Sequence, residues 1–123
     1  MRGNHIAMSL VIAAPIEKVW ASLADWESQG EWMLQTTVEV TSDIREGVGT
    51  SIAAFTGIGK LGIMDHMTVT SWNPPTICDV VHTGAIIKGT GRFELTALSE
   101  NSTHFDWSEE ILAPRAIFLL IAP

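Results

Sequence analysis

The sequence has 123 residues, of which 46% are hydrophobic, and a net charge of −7 from seven basic and fourteen acidic residues. This length supports one domain, residues 1–123, and the hydrophobic fraction is that of a packed globular protein rather than a disordered one. The acidic balance and the scattered Lys and Arg residues argue against nucleic acid or an anionic membrane surface as a partner.

The sequence also bears on redox state and location. A lone cysteine, Cys78, excludes an internal disulfide and a cysteine-based zinc site. The first ten residues lack the apolar core of a signal peptide. The longest apolar run near the end, residues 116–122, is far shorter than the roughly 20 residues that a bilayer requires. We therefore expect a cytoplasmic protein without a membrane span.

The first third of the chain predicts a strand and two short helices. Residues 6–13 form an apolar, β-branched run typical of a strand. Pro15 is suited to the first position of a helix, where its missing N–H is not needed. Asp25 can cap a second short helix. The apolar positions of the two helices are Ile16, Val19, Trp20 and Leu23 in the first, and Trp26, Trp32 and Met33 in the second.

The remainder of the chain predicts consecutive strands and a final helix. Turn residues separate the extended stretches, among them residues 57–60 and the Asn73-Pro74-Pro75 stop. Pro114 begins an apolar helix that reaches Pro123. Consecutive strands with short turns imply an antiparallel meander, hence an α+β fold. The predicted strands are residues 36–42, 51–56, 61–72, 76–82, 88–98 and 103–112.

Alternation along these strands predicts which face is buried. The face that carries most of the large apolar side chains is taken as the inner one. The predicted inner set is Ile63, Asp65, Met67 and Val69, then Cys78, Val80 and His82, then Phe93 and Leu95, and finally Phe105, Trp107, Glu109 and Ile111.

Three polar residues fall on this apolar face: Asp65, His82 and Glu109. A buried lone charge is unfavourable, so each of them should be paired, protonated or solvated. If Glu109 is buried and unpaired, its pKa should rise. Two interpretations stay open: a cavity whose ligand or water supplies partners, or an ordinary core in which the three pair with each other or lie one residue out of register.

Six segments, from residues 14–20 near the start of the chain to residues 107–110 near its end, together resemble the START-related (SRPBCC) superfamily, which includes Bet v 1-like proteins and the polyketide cyclase/dehydrase and lipid-transport proteins. The residues 69–75, V-T-S-W-N-P-P, resemble the family's strand-ending V-T-x-W-(D/N)-P-P pattern. The similarity extends over nearly the whole chain. The other matching segments are residues 14–20, 23–26, 31–32, 89–96 and 107–110.

The resemblance implies a helix-grip fold, in which a curved antiparallel sheet of six to seven strands wraps a C-terminal helix and two short helices close one end. Members of the family hold sterols, lipids, polyketides, plant hormones or quinones between the sheet and that helix. In this sequence the helix would end at Pro123 and so be truncated relative to the family's. An open apolar sheet face would favour a homodimer.

No motif predicts a metal or another cofactor. The histidines His5, His66, His82 and His104 lack metal-ligand spacing. The adjacent pair Asp65 and His66 should point to opposite faces, so it is not a catalytic dyad.

Two functions from different classes follow. The first is binding or transport of a hydrophobic small molecule, with Asp65, His82 and Glu109 orienting a hydroxyl or carbonyl group. The second is a cyclase, aromatase or dehydratase in which those three residues are the catalytic candidates. An open sheet face would also suit a protein-interaction role. The predicted ligand-binding residues are Trp107, Phe105, Phe93, Leu95, Met67, Val69, Ile111 and, at the mouth, Trp32.

Overall fold

A computed structural model describes residues 2–31, 36–58, 61–84 and 86–113 of the chain. Within them lie seven strands, one α-helix and one 3₁₀ helix. The helices are α1, Ile16–Ala24, and the 3₁₀ helix Trp26–Glu31. The strands are β1 Arg2–Ile12, β2 Thr36–Val40, β3 Ser51–Ile58, β4 Leu61–Asn73, β5 Ile77–Thr83, β6 Lys88–Ser99 and β7 Ser102–Ala113.

The seven strands form one antiparallel sheet in the order β1-β7-β6-β5-β4-β3-β2. Strands β2 to β7 are a simple meander, because each one pairs with the next along the chain. Strand β1 returns to pair with β7 along its whole length, from Arg2 opposite Ala113 to Ile12 opposite Thr103. The predicted α+β fold with a curved antiparallel sheet and two short helices is confirmed.

The first helix forms where the sequence predicts it. Pro15 precedes it with an extended backbone, and Glu17 in the first turn complements the helix dipole. Val19 and Trp20 are its buried residues. The second predicted helix is a 3₁₀ helix that begins at Trp26. Trp32 and Met33, which we expected on it, lie outside the described residues, as do Gly59 and Lys60 and the predicted C-terminal helix of residues 114–123.

One irregularity changes the face of a strand. The pairing of β4 with β5 shifts between Val69 and Ser71, so Thr70 forms a bulge. Before the bulge Val69 is inward, and after it Trp72 is inward, where it packs on Trp20 with ring centroids 5.0 Å apart. Strict alternation from Val69 would have turned Trp72 outward.

Two apolar clusters cover the concave face of the sheet. The larger one joins α1 and the 3₁₀ helix to the sheet and includes Trp20, Trp26, Val69, Leu95 and Phe105. The smaller one consists of Ile63, Ile87 and Ile111, with Ile6 packed against them. Three polar residues lie between these two clusters.

Candidate functional site

His82 on β5 is held between two carboxylates that come from different strands. Its Nδ1 lies 2.8 Å from Asp65 Oδ1 on β4, and its Nε2 lies 2.5 Å from Glu109 Oε2 on β7. The His82 side chain is 2% exposed, that of Glu109 10% and that of Asp65 21%. The structure thus brings together the three polar residues predicted on the inner face, in a hydrogen-bonded row that we call the Asp-His-Glu row.

One glycine in β6, Gly91, leaves room for this row. His82 and Glu109 lie on strands that flank β6, so their backbones are about 10 Å apart. Gly89 is opposite His82, and Gly91 is opposite Glu109. A Cβ at position 91 would lie 2.9 Å from Glu109 Oε2. The absence of a side chain there allows the imidazole and the carboxylate to meet above the middle strand.

Gly89 is required by the backbone as well. Its φ is +127°, a conformation that other residues rarely adopt. A Cβ at this position would lie 1.8 Å from the carbonyl oxygen of Glu110. The Gly-x-Gly pattern within a predicted strand is the sequence signal that could have indicated close approach across β6, and sequence reasoning did not use it.

The arrangement fixes the charge of His82. With both carboxyl groups ionised, each only accepts hydrogen bonds, so both ring nitrogens donate and the imidazole carries a proton. Burial by itself lowers the pKa of His82, but the hydrogen bonds and negative charges of Asp65 and Glu109 outweigh it and raise the pKa from 6.5 to about 10. At neutral pH the row is therefore an imidazolium between two carboxylates.

Glu109 has a second donor. The indole Nε1 of Trp107, two residues away on the same face of β7, donates to Glu109 Oε1 at 3.0 Å. Both carboxylate oxygens of Glu109 are therefore occupied, one by His82 and one by Trp107. The premise of a buried and unpaired Glu109, from which we expected a raised pKa, does not hold.

The predicted ligand-binding residues that the structure describes, here called the wall residues, lie on the same concave side of the sheet as the row. Met67 is directly opposite His82. Phe93 contacts both Phe105 and Trp107, with ring centroids 5.9 and 6.1 Å apart. The other wall residues belong to the two apolar clusters: Val69 and Leu95 to the larger one and Ile111 to the smaller one. Trp32 lies outside the described residues.

A small apolar pocket, with a volume of about 10 Å³ and partly open to solvent, lies at the helical end of the sheet. Of the predicted ligand-binding residues, Phe93 lines it, and the Asp-His-Glu row does not. Cys78 also lines this pocket. Its pKa is raised to about 12, mainly because the thiol is buried, so the thiol is not a nucleophile at neutral pH. The remaining lining residues are Trp20, Leu23, Ala24, Trp26 and Trp72.

Within the described ranges, no group of three or more His, Cys, Asp or Glu side chains is arranged to hold a metal ion. In the Asp-His-Glu row the two carboxylates face opposite nitrogens of His82 and do not converge on one point. Among the helices that the structure describes, none is long and apolar enough to cross a membrane.

The sequence profile of one protein family, described as polyketide cyclase / dehydrase and lipid transport, matches residues 4–121. The chain belongs to this family. Membership of the polyketide cyclase / dehydrase and lipid transport family supports hydrophobic ligand binding or cyclase-type activity in general, without specifying the ligand. No protein with a curated description matches the sequence.

Solved structures share the fold at low sequence identity. The Zhui aromatase/cyclase from Streptomyces sp. R1128 has a TM-score of 0.75 and 18% identity, with 92% of this chain and 70% of that chain covered. A START superfamily protein from Mycobacterium smegmatis has a TM-score of 0.76 and 13% identity, covering 89% and 77%. Norcoclaurine synthase from Thalictrum flavum has a TM-score of 0.70 and 12% identity, covering 99% and 83%. These likenesses confirm the START-related, Bet v 1-like helix-grip fold.

Proposed function

We propose that the protein binds a hydrophobic small molecule, a lipid, polyketide or similar compound, against the concave face of its sheet. The observation that supports this is the Asp-His-Glu row itself, three ionisable groups on an otherwise apolar face. Apolar residues of similar size would generally stabilise such a face as well or better. Packing alone would be served by an apolar face, so the presence of the row supports a ligand-binding role.

The proposed pocket combines this polar row with an aromatic and aliphatic wall, the usual make-up of a small-molecule site. Trp107 is the central wall residue because it packs on Phe93 and also donates to Glu109. The other proposed wall residues are Phe105, Leu95, Met67, Val69, Ile111 and Trp32.

Native mass spectrometry of protein purified from its own host tests this proposal. We expect a co-purifying apolar compound of defined mass, and we expect Trp107→Ala to reduce its occupancy strongly. Leu98→Ala is the matched control, because Leu98 is an exposed apolar residue on β6. Protein that is consistently empty, or equal occupancy in both variants, would contradict the proposal.

A second candidate is a polyketide cyclase, aromatase or dehydratase. It is favoured by the 2.8 Å contact between a protonated imidazole and the partly exposed Asp65, which places a proton donor beside a proton acceptor. In such chemistry Asp65, rather than His82, would accept a proton, because His82 already carries one at neutral pH.

The two candidate functions predict different effects of mutation on turnover and on ligand affinity. If the protein is an enzyme, His82→Gln or Glu109→Gln abolishes turnover of a polyketide substrate while its affinity changes little. If the protein is a carrier, the same changes only weaken affinity, and Trp107→Ala does most harm.

Two further predictions accompany the proposal. A homodimer would show a concentration-dependent mass in analytical ultracentrifugation, whereas a constant monomer mass would contradict it. A cytoplasmic location is tested by fractionating host cells and following the native protein.

A further inference from the structure

The hydrogen-bond donors of the Asp-His-Glu row are all used inside the row. His82 donates from Nδ1 to Asp65 and from Nε2 to Glu109. Trp107 donates its single N–H to Glu109. An imidazolium has two N–H groups and an indole has one, so none is left to donate to a ligand.

An acceptor does remain. Asp65 Oδ1 is occupied by His82, but Asp65 Oδ2 receives no hydrogen bond from the described residues. The side chain is 21% exposed, on the concave face between Ile63 and Met67. A ligand that reaches this face therefore meets a carboxylate oxygen set in apolar surroundings.

The net charge of the row also favours a ligand group that donates a hydrogen bond over one that carries negative charge. Two carboxylates and one imidazolium carry a net charge of −1, and the row would be more negative if His82 lost its proton. The ion pairs of Arg45 and Arg92 in the described residues are with Glu27, Asp79 and Glu94, and none involves the row. An anionic ligand would thus face repulsion from the row, and no cation among the described residues pairs with the row to offset it.

We infer that the site selects apolar ligands carrying a hydrogen-bond donor, a hydroxyl or an amine, which donates to Asp65 Oδ2, and that it discriminates against ligands whose polar group is a carbonyl or a carboxylate. This inference rests on the proposed binding function and narrows it. It narrows the expectation that the row would orient a hydroxyl or a carbonyl group.

The test is a matched series of probes with one apolar body: naphthol, its methyl ether and naphthoate, with the substituent at the same ring position. Binding is measured by isothermal titration calorimetry and by NMR shifts of the Asp65 and His82 signals. A hydrogen bond to a charged group is stronger than one between neutral groups, so naphthol should bind at least about tenfold more tightly than its methyl ether. Naphthoate should bind more weakly still.

Asp65→Asn supplies the decisive variant. Its amide can donate as well as accept, so the preference for naphthol over the ether should fall to about twofold or less, and naphthoate should gain affinity. Asp106→Asn is the matched control, since Asp106 lies on the outer face of β7 beside Ser9 and His104 and should leave the preference unchanged. Circular dichroism of each variant verifies that it is folded.

The outcomes separate the two levels of the proposal. Equal affinity for the three probes, tightest binding of naphthoate, or an unchanged preference in Asp65→Asn would overturn donor selection while leaving hydrophobic binding intact. Failure of all three probes to bind would overturn the proposed function and this inference with it.

Discussion

Raising the pH above neutrality should destabilise the protein through His82. The pKa of this residue is about 10 in the folded state, whereas a histidine without these partners, as in the unfolded state, has a pKa of 6.5. Because the folded pKa is the higher one, the stabilisation is complete below pH 6.5 and is lost as the pH rises towards 10. In this window the folded state holds one proton that the unfolded state has released. The free energy of unfolding should then fall by about 1.4 kcal/mol per pH unit, or about 2 to 3 kcal/mol between pH 7 and pH 9.

The assay is urea unfolding at several pH values for the wild-type protein and for His82→Gln. The wild-type protein should lose stability over this range, and the variant should show a much flatter profile. The range ends at pH 9 because Cys78, whose pKa is also raised by burial, adds a loss of the same sign above that pH. NMR titration of the His82 ring gives an independent measurement. A ring that titrates near 6.5, or parallel profiles for both proteins, would refute the reasoning.

Three other substitutions test separate contacts. Gly91→Ala places a Cβ about 3 Å from the Glu109 carboxylate, so we expect a loss of about 1–3 kcal/mol in urea unfolding and a lower histidine pKa by NMR. Trp107→Phe removes the N–H that donates to Glu109, and thermal unfolding should show a loss of roughly 1–2 kcal/mol. Thr103→Val leaves the carbonyl of Ala14 without its 2.8 Å donor at a fully buried position, which should cost about 1–3 kcal/mol of unfolding free energy.

Exposed positions on β6 provide the controls. Thr90→Ala is the control for Gly91→Ala, because Thr90 is the neighbouring residue and its side chain is exposed on the opposite face. Thr96→Val is the control for Thr103→Val, because it makes the same change at an exposed threonine. Both should change stability by less than about 0.5 kcal/mol. Equal losses in test and control variants would mean that the named contacts do not carry the effect. For Trp107→Phe, unchanged stability would contradict a role for the indole N–H.

The sheet could be predicted because its strands alternate with few exceptions. In β7 the run from Phe105 to Ile111 places apolar residues on one face and polar residues on the other, apart from Glu109. The bulge at Thr70 could not be predicted, because no glycine or proline marks it and the apolar pattern of β4 fits either face. It decides that Trp72 enters the core.

The sequence predicted the three residues of the candidate site and left their pairing with each other as one of two open interpretations. Alternation places Asp65, His82 and Glu109 on one face, yet their meeting depends on the pairing register of β4 to β7, which a single sequence does not fix. The charge of His82 follows from that register, since it needs a carboxylate at each nitrogen. The roles of these residues in binding or catalysis stay predictions.

Because Gly91 on β6 has no side chain, the distance between His82 and Glu109 depends on the curvature of the sheet. His82 and Glu109 reach each other across Gly91 from strands on either side of β6, so a flatter sheet would lengthen the 2.5 Å contact between His82 Nε2 and Glu109 Oε2. A ligand that spreads the concave face would then weaken that hydrogen bond before any strand pairing is lost. The chemical shift of the His82 Nε2 proton would report how far this hydrogen bond has lengthened.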